Sequence, residues 1–170
     1  PPPPPPHVFP DTAPPVIYSQ TRSSAASDVY KSQGEPRVHA DGIALSLDGR
    51  HLFWQALTGR TLYWIPTRFL RDARLTDQDL APRVRAAARS GAADGLLFAS
   101  DGFIYLSSLE EGAIKRLGPR RGVQLVSDDP RIVWPDSFAE GPDGWIYFTT
   151  ARIHEGPKPK GPYRILRFNP

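Results

Sequence analysis

The chain has no cysteine and no methionine. Without cysteine there can be no disulfide staples, no thiolate nucleophile and no Cys-ligated zinc. Long hydrophobic runs are missing as well. Nothing approaches the roughly 18 apolar residues that a membrane helix requires, so no membrane span is expected. Gly-x-Ser-x-Gly, HExxH and phosphate-cradling glycine loops are also lacking, which leaves any catalytic residue unknown at this level. Methionine is missing even at position 1, so the chain is expected to be processed or to be a piece of something longer. Pro1–Pro6 offers no apolar core for a signal peptide.

What is present suits a globular protein. Hydrophobic residues make up 39% of the 170 and aromatics 11%, too much for wholesale disorder. The net charge is only +3. Local excesses exist: Thr58–Ser90 holds seven Arg against three Asp, and Ala151–Pro170 holds five cations against Glu155. Without a nucleic-acid-binding motif, such small excesses read as solvated surface, and no nucleic-acid partner is expected.

Residues 1–40 are rich in proline and irregular. The hexaproline start favours polyproline II, and Val16-Ile17-Tyr18 is the one short strand candidate. From residue 41 the chain becomes a repeat. DGIALSLDG begins at Asp41, DGLLFASDG at Asp94 and DSFAEGPDG at Asp136. In each copy a second Asp-Gly follows at the same offset, at Asp48, Asp101 and Asp143. Each then leads into an aromatic-aliphatic run, with Arg50 inserted in the first copy. A strand ending at Asp-Gly and returning through such a run is a β-hairpin. Third strands are expected at Thr61–Ile65 and Ala113–Leu117, a fourth at Val123–Ser127, and a further strand at Tyr163–Phe168. Thr76–Arg89, with Thr76 as N-cap and an Ala-rich stretch, predicts a short helical insertion.

Four antiparallel strands every ~40–50 residues mark propeller blades, although a β-sandwich also spaces its strands by turns. The expected fold is therefore all-β: a β-propeller fragment of about three four-stranded blades over residues 41–170. Three blades leave open sheet edges that invite pairing with other chains.

Ala40–Thr67, ADGIALSLDGRHLFWQALTGRTLYWIPT, resembles the major royal jelly protein/yellow family, including its bacterial dopachrome-tautomerase-related branch. Trp134–His154, WPDSFAEGPDGWIYFTTARIH, resembles a later blade of that family. The resemblance covers roughly residues 38–168. It implies a six-bladed propeller, secreted or periplasmic. More distantly, the blades are similar to those of gluconolactonases, which are metal-dependent sugar-lactone hydrolases. Two positions depart from the family pattern: Arg152, where Asn is common, and Ser107-Ser108, where a Thr-Asp pair is common.

In a propeller the first strand of each blade lines the channel. Asp41, Asp94 and Asp136 are then equivalent positions converging on one channel mouth. Converging carboxylates suit Ca²⁺ or another divalent cation, or general acid–base work. They are equally the residues that cap a loop before glycine, and both readings stand. The gluconolactonase resemblance makes Asp41 and Asp94 the metal candidates. His39, two residues before Asp41, and Gln55, at the end of the first return strand, join the ligand-binding candidates. The expected function is a royal jelly/yellow-type propeller binding a small ligand at the channel mouth. A metal-dependent lactone hydrolase or dopachrome-type tautomerase is one alternative, and a protein-interaction module is another.

Overall fold

The computed structural model describes residues 40–119, 121–155 and 158–170. The Pro-rich segment 1–39, with its strand candidate and His39, lies outside the described residues. Three antiparallel sheets follow one another along the chain. The first holds β1 (Ala40–Leu45), β2 (His51–Ala56), β3 (Thr61–Pro66) and β4 (Arg85–Arg89) in that order. The second holds β5 (Ala93–Phe98), β6 (Ile104–Ser108), β7 (Ala113–Gly118) and β8 (Gly122–Ser127). The third holds β9 (Pro135–Glu140), β10 (Ile146–Thr150) and β11 (Ile165–Phe168), one strand fewer than the repeat predicts. The β-propeller fragment read from the repeat is the architecture observed.

The hairpin turns form for a reason visible in every copy. Gly49, Gly102 and Gly144 take φ of 66°, 84° and 78°, a region costly for side chains other than glycine. The preceding aspartates lock the turn by accepting a backbone N–H two residues on. Asp48 accepts from Arg50 at 3.0 Å, Asp101 from Phe103 at 3.0 Å and Asp143 from Trp145 at 3.2 Å. The inserted Arg50 lengthens the first turn: Ser46 N–H reaches the His51 carbonyl, whereas Ala99 and Gly141 reach one residue less far, to Phe103 and Trp145.

The insertion at 76–89 differs from expectation. Thr76 does cap a helix, in a capping box with Asp79. But α2 covers only Asp77–Leu80, followed by a 3₁₀ turn at Ala81–Arg83. Pro82 lacks the N–H needed to carry a helix onward. The Ala-rich stretch beyond it becomes β4, paired with β3 from Thr61↔Arg89 to Trp64↔Arg85. Closure of the blade overrides alanine's helical preference. A second short helix, α1 (Thr67–Leu70), which the sequence did not suggest, follows β3.

Two apolar layers hold the blades together. Between the first and second sheets, Ala44 and Leu62 meet Leu96, Ile104 and Leu106, with Phe53 and Phe98 packed alongside. Between the second and third, Tyr105 and Ile114 meet Ile146 and Phe148, with Phe138 and Phe168 alongside. Strand alternation divides β6 between the two layers, Ile104 and Leu106 facing one and Tyr105 the other. Every residue of β6 is buried as a result. Each aliphatic side chain so buried contributes about 1.5–3 kcal/mol relative to exposure.

Candidate functional site: a carboxylate mouth at the inner strands

β1, β5 and β9 each carry one of the repeat's first aspartates as their second residue and run side by side. Their approach is backbone to backbone. A Cβ on Gly42 would collide with the Asp94 carbonyl, and one on Gly95 with the Asp136 carbonyl. The glycines after Asp41 and Asp94 therefore serve close packing of neighbouring blades, and neither Gly42 nor Gly95 has positive φ. Each inner strand also carries an irregularity at this point, between Ala40 and Ile43, between Ala93 and Leu96, and opposite Thr149. In the second blade the Ser107 hydroxyl accepts the N–H groups of Asp94 at 3.2 Å and Gly95 at 2.7 Å. In the third, Thr149 Oγ1 accepts the N–H of Ser137 at 3.3 Å. Ser107 thus buttresses the mouth.

Asp94 stands at the centre of the group. Its pKa is pushed up from the ordinary value to about 6, first by burial. The Trp134 indole opposes that rise, and the carboxyl groups of Asp136 and Asp41 add to it. Asp94 thus lies within electrostatic reach of an aspartate on each neighbouring blade. Asp94 is half-buried and Asp41 exposed, while the Ser137 hydroxyl donates to Asp136 at 2.9 Å.

Trp134 is the residue that sequence reasoning missed. Its Nε1–H donates to Asp94 Oδ2 at 2.8 Å. Its backbone has φ of 48°, a strained conformation for a bulky side chain. Two contacts hold it there: its carbonyl accepts the Ala151 N–H at 2.9 Å, and its ring lies on His154 with centroids 5.2 Å apart and planes 6° apart. The signal available was an aromatic residue directly before the third inner strand, which otherwise reads as blade packing.

Gln55 occupies the place in β2 that Ser107 occupies in β6. It is fully buried and its amide is spent on the blade itself. Nε2 donates to the Gly59 and Gly91 carbonyls at 2.8 and 2.6 Å, and Oε1 accepts from Ser90 at 2.6 Å. Arg152 is likewise engaged, paired with Glu155 at 2.5 Å and donating to the Pro162 carbonyl at 3.2 Å. Among the described residues, no three His, Cys, Asp or Glu side chains form a set able to hold a metal ion. Asp41 and Asp94 would need further ligands to do so.

Successive antiparallel sheets packed face to face, with aspartates on the inner strands, have the architecture of β-propeller blades. The family model for major royal jelly protein matches residues 19–138, and the chain belongs to that family. Among solved structures, it is similar to a gluconolactonase from Xanthomonas campestris, with TM-score 0.56 and 17% identity, covering 77% of this chain and 44% of that one. A luciferin-regenerating enzyme aligns with TM-score 0.50 and 15% identity, over 74% of this chain and 44% of that one. A catalytically inactive virginiamycin B lyase from Staphylococcus aureus, solved with quinupristin, aligns with TM-score 0.50 and 13% identity, over 81% and 43%. The chain therefore spans less than half the length of these structures, and the likeness shows the fold. A comparison with curated proteins returns no match.

Proposed function

We propose that the mouth formed by Asp41, Asp94 and Asp136 binds a small ligand bearing positive charge or hydrogen-bond donors, with the three blades forming one side of the channel. The observation that carries this reading is Asp94, a half-buried carboxyl group with a pKa near 6, facing two other carboxyl groups under an indole N–H. Such a group favours a partner that supplies the missing positive charge. Ca²⁺ fits the charge, with ligands added to those of the described residues. The same pKa supports a second reading. A proton-moving enzyme of tautomerase type needs an acid or base poised near neutrality, and Asp94 is so poised. Family membership supports export from the cytosol.

Thermal melts at pH 7.5 test the binding reading, with calcium chloride and a set of small protonated amines as probes. Binding to the folded state alone stabilises by about 2.7 kcal/mol at a hundredfold excess over Kd. The melting temperature should rise, the rise should vanish in Asp94→Asn, and it should persist in Asp101→Asn at the far turn. No shift with any probe, or an equal shift in Asp94→Asn, overturns the reading.

A further inference from the structure

A cavity lies at the opposite end of the blades from the inner-strand aspartates. It is an open cleft between the first and second sheets, beside the turns that follow β1 and β5, of about 610 Å³. That volume falls within the range of small-molecule sites. Its walls are apolar and aromatic: Phe53 and Trp64 from the first blade, Phe98 and Leu117 from the second, with Ala87 on β4. Phe53 lies 5.8 Å from Phe98 and 6.5 Å from Trp64, centroid to centroid. His51 stands edge-on to Trp64 at 5.0 Å.

His51 also lines a smaller cavity of about 400 Å³, whose other walls are Arg50, Thr67, Arg68 and Arg71. Thr67 fixes this second chamber by donating its hydroxyl to the Gly49 carbonyl at 2.8 Å, which seats α1 against the first hairpin turn. Arg68 lies over the Phe69 ring at 4.5 Å. Neither Arg68 nor Arg71 has a carboxylate partner among the described residues, and both are exposed at the rim. Asp48 borders the apolar cavity, but its carboxylate accepts the Ser46 hydroxyl at 2.6 Å and sits 3.8 Å from Arg50. Arg68 and Arg71 are therefore the cations of the smaller cavity that no carboxylate among the described residues neutralises.

We propose that these two neighbouring cavities, which share His51 as a wall, bind an amphipathic anion. A ring-sized apolar body would fill the cleft between the blades, and its carboxylate, sulfonate or phosphate would lie against Arg68 and Arg71. The charge and the apolar walls select for this class together. A neutral hydrophobe gains only the cleft, and a small inorganic anion gains only the arginines.

Isothermal titration with naphthalenesulfonate as the probe tests the proposal, with naphthylmethanol as its uncharged counterpart. The sulfonate should bind saturably, one per chain. The double variant Arg68→Glu/Arg71→Glu should weaken the sulfonate at least tenfold and leave naphthylmethanol unchanged. Ala87→Phe, which fills the cleft, should weaken both. If Ala87→Phe fails to fold, the amide NMR spectrum of the unmodified chain takes its place: sulfonate should shift Trp64 and Phe98. No saturable binding overturns the proposal. So does either variant leaving sulfonate affinity within twofold, or shifts confined to residues outside the two cavities.

Discussion

Each repeat contains two aspartates seven residues apart, and the fold gives them opposite environments. Asp94 begins an inner strand, meets two other carboxyl groups, and its pKa is raised to about 6, chiefly by burial. Asp143 and Asp48 sit in the turns at the other end. Asp143 is pulled down, first by the Tyr147 hydroxyl, and Asp48 first by the Ser46 hydroxyl. The neighbouring glycines differ in the same way. Gly95 is needed because a neighbouring blade leaves no room, whereas Gly102 has open space around it and is needed for its φ of 84°. Identical dipeptides thus answer to packing and charge at one end and to backbone conformation at the other. A repeat motif by itself does not say which constraint applies; position along the blade does.

The contrast is broken most sharply at the glycines. Gly95→Ala places a methyl group inside the Asp136 backbone and should destabilise by about 3 kcal/mol or more, since neither main chain can step aside cheaply. Gly102→Ala should cost only about 1–2 kcal/mol, the strain of a left-handed alanine. Urea unfolding of both variants measures the pair, and equal losses would sink the packing argument.

Next in size is Asp94→Asn. A raised carboxyl pKa means that the folded state holds its proton more tightly than the unfolded chain. The associated stability is full below about pH 4 and is lost as pH rises through about 6. With allowance for solvent screening of a half-exposed group, it amounts to about 1–2 kcal/mol. Asparagine keeps an acceptor for Trp134 but has no charge to desolvate. Asp94→Asn should therefore match the parent at pH 4 and exceed it in stability at pH 7.5. Denaturant midpoints across that range decide the matter, and a variant weaker than the parent at pH 7.5 contradicts the assigned environment.

The smallest effect belongs to Asp143→Asn. A lowered pKa contributes stability above the unfolded value near 4, and that contribution is lost as pH falls through the folded value. The variant should be slightly less stable than the parent at neutral pH and converge with it in acid. A gain in stability at pH 7 would remove the distinction between the two ends.

Much of this architecture is legible in the residues. The Asp-Gly turns, the aromatic return strands and the third strands of the first two blades all fall where alternation and turn chemistry place them. The Ala-rich stretch 86–88 misleads because alanine's local preference is weak against a strand partner that only the fold supplies. The equivalence of Asp41, Asp94 and Asp136 at the starts of the inner strands follows from the repeat. Trp134 and Ser107 do not follow from it. An indole turned toward Asp94 depends on an unusual φ that no local pattern announces. Ser107 acts through an irregularity in the ladder, and its role appears only once the register between β5 and β6 is known. Gln55 matches a site residue by type and position, and its hydrogen bonds within the blade are set by Gly59, Ser90 and Gly91, two of them more than thirty residues away in sequence.

The glycine that lets one inner strand lie against the next also sets the order in which blades can be joined. Gly42 meets the second blade and Gly95 the third, but the third blade carries Ser137 at the equivalent position. Blades of this protein are therefore not interchangeable modules. A gene built by duplicating the first or second blade yields units that stack onto whatever follows them. A copy of the third blade set against a neighbour in the register that Gly42 and Gly95 use would bring the Ser137 side chain toward that neighbour's main chain.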